Sequence, residues 1–221
     1  MANHATPSYE TTALFPLPDA VLFPHTTLPL HIFEPRYRTM TEQVLQEDGY
    51  IALATLDEEQ PDSERGPAYH EICGLGRISD VQPLTGGRYL IFLEGMARML
   101  VVDELDVETP YRQVRGLRLD ERLENRPEAN LLIQSIRGSL LSLDHRGIDG
   151  AEQLNIEVGL LDSPSAIADM VGSALYPDTD RKRQLFEELD VLCRLRRVER
   201  RLSRLIVQAY EHNPPDLRER N

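Results

Sequence analysis

The sequence predicts an α+β fold: a mostly antiparallel β half, arranged as a small barrel or folded-over sheet, followed by a helical bundle. Three observations predict it. Apolar residues follow a period of about two as far as Asp120 and a period near 3.6 beyond it. Pro16, Pro18, Pro24 and Pro29 break the first apolar stretch, which forbids helix there and suits short or edge strands. The 221 residues, 41% of them hydrophobic, are enough for one large domain or two small ones with a buried core.

Residues 1–10 are polar and read as a flexible lead-in. A β subdomain is expected over 11–120 and a helical subdomain over 121–221. After the proline-broken strands of Thr11 to Phe33, Pro35 opens a short amphipathic helix carried by Tyr37, Met40, Val44 and Leu45 and stopped by Gly49. Tyr50 to Leu56 reads as a buried strand, and Asp57 to Gly66, with four acidic residues after Asp57, as a mobile loop. Strands are expected at 71–84, 88–94, 97–107 and 111–119, with Thr85-Gly86-Gly87 turning the first pair and Gly95 bending the next. In the second half, Leu131, Leu132, Ile136, Leu140, Leu141 and Leu143 suit a helix entered after Pro127. Ser163 and Pro164 have the chemistry of a cap and a first turn, ahead of an apolar face that includes Ile167, Met170 and Val171. One long final helix is expected over 181–212, striped by Leu185, Leu189, Leu192, Leu195 and Leu202 and ended by Pro214-Pro215.

No stretch reaches the ~18 apolar residues of a membrane span, and Met1 to Glu10 lacks the basic start and apolar run of a signal peptide, so a cytoplasmic protein with no membrane partner is expected. Cys73 and Cys193 lie far apart and read as small buried apolar residues of a protein in a reducing compartment. The formal net charge of −13 argues against general nucleic-acid binding. The charge is uneven. Residues 181–204 carry nine basic and four acidic side chains, and Lys182 is the only lysine in the chain. Glu187, Glu188, Asp190 and Glu199 fall within helical reach of several arginines, so a solvated, self-paired face is expected there ahead of an acidic partner or RNA.

Motifs for small-ligand chemistry are incomplete. Gly74-x-Gly76 lacks the third glycine, the helix and the acid of a dinucleotide fingerprint, and reads as tight strand packing. His70-x-x-Cys73 provides two ligands where a tetrahedral zinc site needs four. No cofactor and no metal are expected.

Three segments, in order and suitably separated, resemble the N-terminal domain of Lon proteases, a module also found alone in bacteria. The first is Leu14-Phe15-Pro16-Leu17, continuing through Val21-Leu22-Phe23-Pro24 into Leu28-Pro29-Leu30-His31-Ile32-Phe33-Glu34-Pro35-Arg36-Tyr37. The second is Gly74-Leu75-Gly76-Arg77-Ile78 with Leu93-Glu94-Gly95-Met96-Ala97-Arg98. The third comprises Ala166-Ile167-Ala168-Asp169 and Leu189-Asp190-Val191-Leu192-Cys193-Arg194-Leu195. The resemblance implies a PUA-like β subdomain followed by a helical bundle. It also implies a role in recognising exposed or unfolded polypeptides, while other domains of full-length Lon supply ATP hydrolysis and proteolysis.

No Gly-x-x-x-x-Gly-Lys-Ser/Thr string occurs, and the lone lysine, in Arg181-Lys182-Arg183, sits among cations with no serine placed beside it for a Ser-Lys pair. The expectation is therefore a free-standing, non-enzymatic copy of the recognition domain, a monomer or weak dimer acting in protein quality control, alone or beside a separate protease. The candidate polypeptide-binding residues are His31, Phe33, Glu34, Arg36 and Tyr37. Cap and turn chemistry around Pro35 is the competing account of most of those residues, and Phe33, like Phe23 and Leu28, reads as core ahead of groove. The alternative function is an RNA-binding PUA-like module using the basic C-terminal helix.

Overall fold

A computed structural model describes residues 9–212. The chain divides into two compact units: one comprises the residues up to Asp120 together with Asp178–Glu187, the other Glu121–Pro177 and the residues from Glu188 on.

The first unit is built from strands β1 (Tyr9–Leu17), β2 (Thr27–Ile32), β3 (Tyr50–Thr55), β4 (Ile72–Leu84), β5 (Arg88–Glu104) and β6 (Gln113–Arg118), with helix α1 (Pro35–Val44). β1 runs parallel to β3 and antiparallel to β6, while β3–β4, β4–β5 and β5–β6 are antiparallel. Those five pairings close a ring, so the sheet is a small barrel with β2 added along the first half of β5.

β5 is one continuous strand where two were expected. The register against β4 slips between Leu75 and Gly76, opposite the Gly95–Ala97 stretch, so the strand bends without ending. The bend lets Tyr89–Glu94 pair with β2 and Met99–Glu104 pair with β6. Residues 1–8 of the expected lead-in lie outside the described residues, and its last two do not belong to a lead-in. Tyr9 and Glu10 pair with Leu117 and Gly116, and Glu10 holds Arg118 at 2.6 Å. Polarity concealed this strand start because its side chains face solvent while its backbone is paired.

The middle of β1, nearly all of β3 and the start of β4 are buried on both faces. Ala13, Phe15, Ile51, Leu53, Ile91 and Leu93 pack on one side with Tyr37, Met40 and Val44 of α1. Leu14, Ala52, Ala54, Cys73, Leu75 and Met99 pack on the other. Two glycines admit a backbone crossing: a Cβ on Gly74 would meet the Leu22 carbonyl oxygen at 2.3 Å, and one on Gly95 the Phe23 carbonyl oxygen at 2.0 Å. The glycines of the second family-like segment are thus cut to fit the Leu22-Phe23 of the first.

A late segment of the chain completes this unit. The expected single helix over 181–212 is two helices, α5 (Thr179–Phe186) and α6 (Val191–His212). α5 delivers Leu185 and Phe186 to burial, with the Phe186 ring edge-on to Phe23 at 5.4 Å. Arg98, 1% exposed, lies 5.9 Å from the Phe23 ring and 5.0 Å from the Phe186 ring, and its Nε donates to the Phe186 carbonyl. The break has local causes. Asp190 accepts from the N–H groups of Leu192 and Cys193 at 2.8 and 3.1 Å, starting a new helix. Arg122 forms a bridge with Asp190, its backbone bonding Leu189 and Val191. The leucine stripe runs through the interruption, so periodicity alone concealed it.

The second unit holds α2 (Arg126–Asp144), α3 (Ala151–Gly159), α4 (Pro164–Leu175) and α6. Asn125 caps α2 and Ser163 caps α4. Helix α3 was not apparent from the sequence, having only Ala151 and Val158 fully buried. Asp169 of α4 and Arg194 of α6, both fully buried, pair at 3.0 Å. Arg194 also reaches Glu121 at 2.7 Å, the Ser165 hydroxyl at 2.8 Å and the Glu188 carbonyl at 2.7 Å. Two parts of the third family-like segment therefore meet in one ion pair.

Candidate polypeptide-binding site

β2 delivers the candidate residues to one corner of the first unit. Among the described strands it pairs only with β5, which leaves its other edge open and lets Pro29 sit where a missing N–H costs no ladder bond. Alternation buries Ile32 and turns His31 and Phe33 outward. Phe33 is 59% exposed, with its ring centroid 5.7 Å from that of His31. Glu34 is the N-cap residue of α1 in extended conformation, but its side chain caps nothing. Its carboxylate instead accepts from Arg36 Nε at 3.0 Å. The Arg36 guanidinium lies 4.5 Å from the Tyr37 ring centroid.

Tyr37 differs from the other four. It is 6% exposed and packs against Phe15 at 4.4 Å, and burial pushes its phenol above the ordinary tyrosine range. Tyr37 is therefore a core residue under the site, supporting Arg36 from below. Together with Arg36 it walls a cavity of about 210 Å³, whose other side includes Leu14, Pro16, Tyr111 and Arg112. His31 and Phe33 do not line that cavity.

A second, wider cavity of about 630 Å³ lies between the loop after β3 and the end of β5, and is walled by Tyr69, His70, Val102, Glu104 and Arg112 among others. Two of its charges, Arg112 and Glu104, pair with each other. Arg112 donates to both oxygens of Glu104 at 2.9 and 2.6 Å and lies 4.7 Å from the Tyr69 ring centroid. Burial first, then the Glu104 charge, push the Tyr69 phenol up to about 12.

The isolated chemical motifs resolve individually. His70 Nδ1 lies 3.7 Å from Asp57, while Cys73 is buried and its thiol is pushed up to about 12 by that burial. Lys182 stands on α5 between Arg181 and Arg183, with Asp178 and Phe186 one turn away on either side. Arg98, absent from the candidate residues, is the principal buried cation of this unit; its one sequence signal was its place in Glu94-Gly95-Met96-Ala97-Arg98.

Residues 11–204 match the family model for the ATP-dependent protease La (LON) substrate-binding domain. The chain belongs to that family. Similar proteins include a Lon protease of Desulfosudis oleivorans, 26% identical over 197 residues, which span 88% of this chain and 24% of the relative. Lon protease 4 of Sorangium cellulosum is 29% identical over 185 residues, spanning 84% of this chain and 22% of the relative. The chain thus spans about a quarter of the length of these relatives. In structure it is similar to the N-terminal domain of Mycobacterium avium complex Lon protease, with a TM-score of 0.70 and 22% identity, covering 88% of this chain and 98% of that one. A Lon N-terminal domain protein from Xanthomonas campestris gives a TM-score of 0.58 at 20% identity, covering 90% of this chain and 98% of that one. The two structures support the fold.

Proposed function

We propose that this chain is a non-catalytic recognition module that binds exposed or unfolded polypeptide segments at the junction of β2 and α1. The observation that carries the proposal is the large exposed ring of Phe33 beside His31, in the longest family-like string of the sequence. Removing such a ring from water contributes roughly 1.5–3 kcal/mol. In the isolated protein that contribution is unused. A client segment with apolar side chains would realise it, and the open edge of β2 offers main-chain groups to an extended chain. Disordered clients lose ordering entropy on binding, so affinity should be modest.

Membership of the substrate-binding family supports this reading, because the matches fall within the domain that Lon names for substrate binding. None of the described helices is long and apolar enough to cross a membrane. A cytoplasmic protein acting in quality control, alone or beside a separate protease, is consistent with that. Hydrogen exchange with and without a permanently unfolded polypeptide tests the location. Protection over Thr27–Tyr37 is expected, and protection confined to other segments would reject the site.

A further inference from the structure

Helix α6 presents a face of four arginines, of which Arg200, Arg201 and Arg204 are held by no ion pair among the described residues. Arg197, Arg200, Arg201 and Arg204 are three, four and seven residues apart and share a face. Leu195, Val198 and Leu202 are buried on the opposite side. Of the four carboxylates expected to pair with this face, three are engaged elsewhere. Glu187 binds Arg183 at 2.8 Å, Asp190 caps α6, and Glu199 accepts from the hydroxyls of Ser135 and Ser203. Glu188 reaches Arg197 at 3.4 Å. Among the described residues, no ion pair holds Arg200, Arg201 or Arg204.

We propose that this face docks a short acidic segment of a partner polypeptide. Like charges three and four residues apart destabilise a helix, and a bound carboxylate at Arg200, Arg201 and Arg204 removes that repulsion. Arginine forks take carboxylates in paired hydrogen bonds. The dimensions favour a short ligand: Arg200 to Arg204 spans about 6 Å of helix axis, the length of roughly two extended residues. A nucleic acid fits less well. Its charge would continue past the stripe onto a chain whose overall balance is −13, and no aromatic side chain interrupts the four arginines as a stacking platform. This surface belongs to the second unit and the β2–α1 site to the first, so the failure of either proposal leaves the other standing.

The test is fluorescence anisotropy at low salt with three labelled probes: a peptide bearing a run of glutamates, its glutamine counterpart, and a single-stranded RNA of similar length. The glutamate peptide is expected to bind saturably and the glutamine peptide not to bind. In the triple variant R200Q/R201Q/R204Q, whose side chains are outside the core, binding should weaken about tenfold or more with unchanged thermal unfolding. Equal binding of the two peptides, or undiminished binding by the triple variant, would overturn the proposal. So would RNA that binds more tightly than the glutamate peptide and displaces it.

Discussion

Gly95 shows how closely single residues are constrained. A methyl group there would sit 2.0 Å from the Phe23 carbonyl oxygen, and neither backbone can yield without disturbing the β2–β5 pairing. Gly95→Ala should destabilise the protein by about 1–3 kcal/mol, the ordinary range for overpacking, measured as a lower midpoint in denaturant; an unchanged midpoint would mean the crossing is looser than described. Asp190 carries a different constraint. The N–H of Cys193, then that of Leu192, hold its carboxyl below the usual carboxylate range. A lowered folded value means that its contribution is fully present above the unfolded value near 4 and is lost as pH falls through the folded one. Asp190→Ala should therefore lower stability by about 1 kcal/mol at neutral pH. The gap between variant and wild type should close in acid, and a gap that widens in acid would contradict this account. At Cys73, a thiol pushed up to about 12 and 1% exposed should resist a thiol reagent at pH 8 until the protein unfolds. Of the candidate site, His31, Glu34 and Arg36 were legible as surface residues from their polarity and the Pro35 helix start, whereas Phe33, whose apolar ring favoured a place in the core, is 59% exposed. The burial of Tyr37 was legible from its place on the apolar stripe of that helix, but its contact with Phe15, 22 positions away in sequence, was not.

At the scale of elements, the division of labour between α5 and α6 is the main departure from sequence expectation. Periodicity reports which face of a helix is apolar but not which core receives it, so Leu185 and Leu192 fell on one stripe although they serve different units. Phe186→Ala should cost about 3–5 kcal/mol, because it removes a buried ring from Phe23 and from Arg98 together. Comparable loss of stability is expected from Arg194→Met, which leaves Asp169 buried without its charge partner. Calorimetry of each variant checks both, and a shift of less than a degree in either would contradict the assigned packing. The barrel strands and α4 were legible because alternation, the Thr85-Gly86-Gly87 turn and the Ser163-Pro164 cap are local signals. Closure of the barrel through β5 and β6 depends on bulges that leave no local mark, and α3 on two buried residues.

For the whole molecule, a barrel with one open-edged strand and a helical unit form the scaffold, and Phe33 stands exposed beside that edge strand. The proposed recognition site rests on that placement, within the segment most like the family. Apolar capture also has its own salt signature, since the burial of a ring changes little with ionic strength whereas phosphate contacts weaken steeply. The most direct measurement is anisotropy of a labelled, permanently unfolded polypeptide titrated with the wild-type protein and with Phe33→Asp at low and high salt. The account predicts saturable binding by the wild type that persists at high salt, and binding at least about tenfold weaker in a Phe33→Asp protein that unfolds at the same temperature. No binding by the wild type, or equal binding by the two proteins, would contradict it.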